Sequence, residues 1–201
     1  MNAPRIIYES RYGTKDMSIS DILLQDNEIW LEGEVTMSAV NEVISLLHII
    51  EKRCGDKNNG IIDTEVRLFI TGPGGSVNAA LNLANYITHS PLNITGIAVN
   101  NCSSASALVW LACGTREIFP YSRIMLHETT HMICEDVRYK ADRLEEIVAD
   151  LKRYNDSAYE IIAEAFGKTK EEIRELIGGK DYYIYADELE RMGVATIVDT
   201  L

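Results

Sequence analysis

No apolar run in this sequence approaches the roughly 20 residues that a membrane-spanning helix needs; the best stretch, Ala107–Ala112, is far too short. Basic residues are scarce as well: 19 Lys and Arg stand against 31 Asp and Glu, a formal net charge of −12. Nucleic acid, whose phosphates require a basic stripe, is therefore not an expected partner. Cysteine appears only four times, at Cys54, Cys102, Cys113 and Cys134, with no C-x-x-C pair. That scatter argues against disulfides and fits free thiols in a reducing compartment. The opening stretch MNAPRIIYESRYGTKD lacks the uninterrupted apolar segment of a secretory signal, so a cytoplasmic location is expected.

What is present is ordinary globular material: 201 residues, 46% hydrophobic and 25% charged, with no internal repeat or linker. Residues 1–17 mix Pro, Gly, Tyr and charges without periodicity and read as a loosely ordered arm; 18–201 read as a single domain. EIWLEGEV (28–35) alternates as a strand does, and 38–53 carries Val40, Val43, Ile44, Leu47 and Ile50 at helical spacing. VRLFIT (66–71) and NITGIAV are further strands, separated by a helix that opens at Val77. SASALVWLAC is an apolar helix, and REIF and RIML are short strands. Strands alternating with helices predict an α/β fold with a largely parallel sheet. From Tyr139 to Phe166 a 3–4 apolar spacing predicts one helix on the order of 40 Å long. That exceeds the expected domain diameter, so part of its stripe is expected to meet another subunit. Gly167 ends the helix, Thr169–Glu172 has the form of a capping box, and two short elements are expected after Gly178-Gly179.

Three stretches could carry chemistry. His127-Glu-Thr-Thr-His131 has the form of a zinc-peptidase signature, with Glu145 or Glu146 as a conceivable third ligand. Zinc would need a helix there. Pro120 upstream, the strand-like Arg123–Leu126 and the β-branched Thr129-Thr130 favour an extended chain instead. An extended chain would hold the two imidazoles roughly 13 Å apart. Gly72-Pro-Gly-Gly75 joins a strand to a helix, as an oxyanion hole or as a tight turn only glycine can make. In NNCSSASALVW (100–110) a serine would stand at a strand–helix elbow, or the serines would only cap the helix, and Cys102 is a neighbouring thiol with no mark of activation.

Four blocks in order, EIWLEGEV, VRLFITGPGGSVNAALNLANYI, NCSSASALVWLACGTREIFPYSRIMLH and KDYYIYADELERMGVATIVD, resemble the Clp protease proteolytic subunit family from about Met17 to Leu201. The resemblance implies a ClpP/crotonase-like spiral of βαβ units with a projecting handle, here about 128–166. It implies a self-compartmentalising serine endopeptidase of stacked heptameric rings, fed unfolded polypeptide by an AAA+ unfoldase. That partner uses the ATP; the resemblance implies no cofactor and no metal for this chain. Matched residue by residue, it implies Ser104 as nucleophile, His127 as base and Asp181 as its orienting carboxylate. Gly75 and Ala105 would supply the oxyanion N–H groups.

The match has departures. Asn100-Asn-Cys-Ser103 replaces Gly-x-Ala-Ala before the serine, and such bulk could narrow the site. The spacing of 23 from Ser104 to His127 is two shorter than in typical bacterial relatives, though similar to phage-borne ones. A gapless alignment anchored on Gly114 would put Ala105 at the nucleophile position, which keeps Ser103 and Ser106 open as rivals. Glu128-Thr-Thr-His-Met-Ile-Cys134 replaces Gln-Pro and a glycine-rich strand. A non-catalytic ring subunit, a phage-type head-maturation protease and an acyl-CoA enzyme of crotonase fold stand as alternatives.

Overall fold

The computed structural model describes residues 5–10, 13–54, 62–130 and 140–199. Strands β1 (Arg5–Ser10) and β2 (Gly13–Ser18) pair antiparallel as a separate two-stranded ladder, followed by helix α1 (Ile19–Gln25). Among the described residues of 1–17, where the sequence predicts a loosely ordered arm, the chain is paired in this ladder; residues 1–4, 11 and 12 lie outside the described residues. Ile6 and Ile7, successive residues on opposite faces of β1, are both exposed. Helix α1 had a legible start in Ser18 and Asp21, which form a capping box.

The main body proceeds through β3 (Glu28–Val35), α2 (Met37–Cys54), β4 (Ile62–Gly75), α3 (Val77–His89), β5 (Leu92–Ser103) and α4 (Ala105–Leu111). Short strands β6 (Thr115–Ile118) and β7 (Arg123–Leu126) follow, then α5 (Ala141–Phe166) and α6 (Lys170–Ile177). Three elements rather than two close the chain: β8 (Tyr182–Tyr185), α7 (Ala186–Arg191) and β9 (Thr196–Ile197). The sheet runs β3-β4-β5-β6-β9, all parallel, with β7 parallel to the far end of β5 and β8 antiparallel to β7. It is the α/β arrangement with a parallel sheet that the alternation of elements predicts. Among the described residues no helix is long and apolar enough to cross a membrane.

Strand β5 changes partners midway. Thr95–Ala98 pair with β6, whereas Asn101–Ser103 pair with β7. Between them Asn100 sits at φ 56°, and its N–H donates to Ser122 Oγ at 2.7 Å. Asparagine is among the few residues that enter this left-handed region readily. Trp110 locks α4 onto the first half of β5. Its indole is fully buried, and Nε1–H reaches the carbonyls of Gly96 at 3.0 Å and Glu117 at 3.1 Å.

Helix α5 has two unlike halves. Ala158, Tyr159, Ile162 and Ala163 are buried in the core, while Leu144 and Val148 stand exposed near its start. At 26 residues it is about 39 Å long. Gly167 ends it in the left-handed conformation at φ 61°, and Thr169 and Glu172 open α6 with the expected capping box. Replacing Trp110 by Ala is expected to destabilise the folded chain by about 3–5 kcal/mol, read as a lower urea midpoint with unchanged slope.

Candidate active site

The carboxyl ends of adjacent parallel strands gather ligands in α/β sheets. Here β4 ends at Gly75, β5 at Ser103 and β7 at Leu126, and these three strands are neighbours through β5. The next residues along the latter two are Ser104 and His127. With Gly75 and Ala105 they line one cleft of about 330 Å³. A larger cleft of about 450 Å³, near Arg116, lies at the amino end of β5 and touches none of these groups.

Ser104 occupies a strand-to-helix elbow at φ 52°, ψ −120°. A non-glycine residue there costs about 1–3 kcal/mol and persists only when its surroundings enforce it. The enforcement is visible: Ser104 N–H donates to the Met125 carbonyl at 2.7 Å, and its own carbonyl accepts from Leu108 N–H at 3.0 Å. The glycine loop closes from the other side. A Cβ on Gly74 (φ 106°) would lie 2.7 Å from Ser104 Cβ, and one on Gly75 (φ 148°) would lie 2.5 Å from the Val35 carbonyl oxygen. Glycine is required at both positions, for close approach as much as for φ. Ala105 is the first residue of α4, so its N–H has no carbonyl one turn back within the helix.

The three candidate serines separate cleanly. Ser104 Oγ lies 2.7 Å from His127 Nε2. The buried Ser103 hydroxyl donates to Asn101 Oδ1 at 3.0 Å. The Ser106 hydroxyl is buried beneath Gly72 and meets no partner among the described residues. Cys102 is fully buried, and burial together with the neighbouring Cys113 pushes its thiol well above the ordinary range. Burial pushes Cys113 up to about 12. A thiol so held is not a nucleophile at neutral pH. The bulk at Asn100–Ser103 does not narrow the cleft either: none of these side chains lines it, and Asn101 is engaged with Ser103 and, at 3.4 Å, Arg123.

Residues 127–130 follow β7 without forming a helix, so the turn that zinc ligation by His127 would need is not present over them; His131 and Cys134 lie outside the described residues. Glu145 and Glu146 stand on the exposed half of α5, where Glu146 pairs with Arg143 at 2.8 Å. Asp181 is placed by register: Leu126 pairs with Tyr182, so the antiparallel ladder continued by one residue sets Asp181 opposite His127. Asp181 is exposed, and among the described residues no hydrogen bond joins it to His127. The structure therefore brings together Ser104, His127, Gly75 and Ala105, and leaves Asp181 adjacent.

Two residues at the site had no sequence signal of their own. Tyr159 O–H donates to Glu128 Oε1 at 2.6 Å, and Asn155 Oδ1 accepts the Thr129 N–H at 2.7 Å. Burial, then the Glu128 carboxylate, pushes the Tyr159 phenol up to about 12. On sequence alone both are merely positions on a helix.

The Clp protease family model matches residues 11–200. The chain belongs to the Clp protease family. Its α/β fold with a parallel sheet is the fold expected of a family member. It is similar to the ATP-dependent Clp protease proteolytic subunit 1 of Rhodopirellula baltica, with 25% identity over 93% of this chain and 78% of that protein. It is likewise similar to the subunit of the same name from Corynebacterium glutamicum, with 25% identity over 95% of this chain and 88% of that one. In this Clp family member Cys102 and Cys113 are expected to resist iodoacetamide at pH 8 in the folded state and to react fully in urea. Peptide mass mapping reads the difference.

Proposed function

We propose that the chain is a self-compartmentalising serine endopeptidase subunit, working in the cytoplasm on unfolded polypeptide delivered by an AAA+ unfoldase of the Clp type. The observation that carries this reading is the 2.7 Å approach of Ser104 Oγ to His127 Nε2 across the ends of two paired strands. A base within about 2.6–3.2 Å of its nucleophile is placed for proton transfer. Ser104 Oγ attacks the peptide carbonyl while His127 Nε2 takes its proton, and the carbonyl oxygen turns to the Gly75 and Ala105 N–H groups. His127 then gives the proton to the leaving amine, and water releases the acyl group by the same route in reverse. Asp181 is assigned the orienting of the imidazole. Leu108, Leu126, Ala158 and Ile162 give part of the cleft an apolar lining, which suits an apolar side chain of the substrate.

A fluorophosphonate probe on the assembled protein is expected to modify Ser104 alone. Ser104→Ala should abolish labelling, and Gly74→Ala should slow it by about a hundredfold, because its methyl would displace the Ser104 elbow. Labelling that persists in Ser104→Ala sinks the assignment. EDTA should leave peptide cleavage intact; loss restored by zinc alone would return the HETTH stretch to a metal site.

That no hydrogen bond joins Asp181 to His127 among the described residues favours one alternative, a ring subunit that supports active partners without turning over substrate. The two readings part on Asp181→Asn. In an enzyme it should lower kcat by about a hundredfold or more, whereas in a scaffold neither form is labelled although rings assemble.

A further inference from the structure

Glu128 has no part in that chemistry: its side chain does not line the cleft and meets Tyr159 of helix α5 instead. We propose that Glu128, Tyr159 and Asn155 are positioning residues that hold the chain beyond His127 and so keep its imidazole against Ser104. This rests on Ser104 and His127 being the reacting pair.

His127 lies between two anchors. Before it, Leu126 is buried and pairs with Tyr182 in the β7–β8 ladder. After it the ladder ends, and α5 takes over: the Glu128 carboxylate accepts the Tyr159 O–H at 2.6 Å, and Thr129 N–H donates to Asn155 Oδ1 at 2.7 Å. Asn155 and Tyr159 are four apart, hence on one face of α5. Tyr159 is itself fixed: it is buried, and the Arg174 guanidinium of α6 stands 5.2 Å from its ring centroid. A line of contacts thus runs from α6 through Tyr159 and Glu128 to the residue beside the imidazole.

Chemistry explains why these groups suit the task. A phenol donating to a carboxylate makes a short, charge-assisted bond, stronger and more directional than a neutral pair. Placing a carboxylate partly out of water carries a desolvation cost, and α5 does not need that contact to dock, because Ala158, Ile162 and Ala163 already bury its inner face. With no hydrogen bond from Asp181 to the ring, the backbone on either side carries more of the orientation. A displacement of about 1 Å at a reacting group can cost on the order of a hundredfold in rate.

The test uses the full-length assembled protein and two readouts: the second-order rate of fluorophosphonate labelling at Ser104, and hydrogen exchange at the His127 imidazole C2 position, followed by mass spectrometry. Glu128→Ala and Tyr159→Phe are each expected to slow labelling by about tenfold and to speed exchange at His127. Glu128→Gln, which still accepts the phenol proton, should restore most of the lost rate. The double variant Glu128→Ala/Tyr159→Phe should be no slower than the slower single one, since both break the same contact. Labelling within twofold of wild type in Glu128→Ala, whatever its thermal midpoint, overturns the proposal and leaves a purely structural contact. Should Tyr159→Phe not fold, the Ala and Gln variants at 128 decide alone. Should the wild type itself not label, the enzymatic reading falls. The positioning claim is then judged by imidazole exchange: faster in Glu128→Ala supports it, unchanged overturns it.

Discussion

Between Ala98 and Asn101 strand β5 exchanges one parallel neighbour for another, and the whole cleft depends on that exchange. A strand that stayed beside β6 to its end would have no β7 next to Ser103, and the residue after β7 would not reach the residue after β5. The turn is local and inexpensive because Asn100 tolerates φ 56° and because Ser122 Oγ receives the N–H released from the first ladder. Once β7 lies beside the second half of β5, Met125 can offer its carbonyl to Ser104, and His127 follows two residues later.

The elbow at Ser104 is the second cost the fold bears, and the surroundings divide it. A strained φ of 52° is offset by two backbone hydrogen bonds, one to β7 and one into α4. The loop after β4 presses so closely on Ser104 that Gly74 could not carry a side chain. Trp110 fixes α4 in turn by spanning β5 and β6 with a single indole N–H. Strain at this residue is held by a rigid frame, without which a residue so strained would relax.

Burial then sorts the candidate nucleophiles. Cys102, Ser103, Ser104 and Ser106 lie within five positions of one another, yet only Ser104 faces the cleft. Cys102 points into the core, where desolvation suppresses its thiolate; Ser103 is occupied by Asn101, and Ser106 is buried beneath the glycine loop. The same separation governs α5. Its second half sits in the core and offers Asn155 and Tyr159 to the chain after His127, while Leu144 and Val148 in its first half are exposed.

Most elements of this Clp family member were legible in the sequence, because apolar periodicity and capping are local. EIWLEGEV is β3 to the residue, Gly167 ends α5, and Thr169 caps α6. The glycine loop, the serine run and the histidine after RIML were also legible as separate pieces. The β1–β2 ladder was not: Ile6 and Ile7 are adjacent and both exposed, so they give no apolar alternation to read. Nor could the sequence choose among three serines: a side chain's direction at an elbow turns on one backbone dihedral, set here by β7 and Gly74 from distant parts of the chain. The HETTH stretch shows the same division. Its residue types fit a zinc motif, but β7 delivers His127 in an extended chain against Ser104, and α5 draws Glu128 away to Tyr159. Local pattern determined which residues were available; packing across the sheet decided which of them meet.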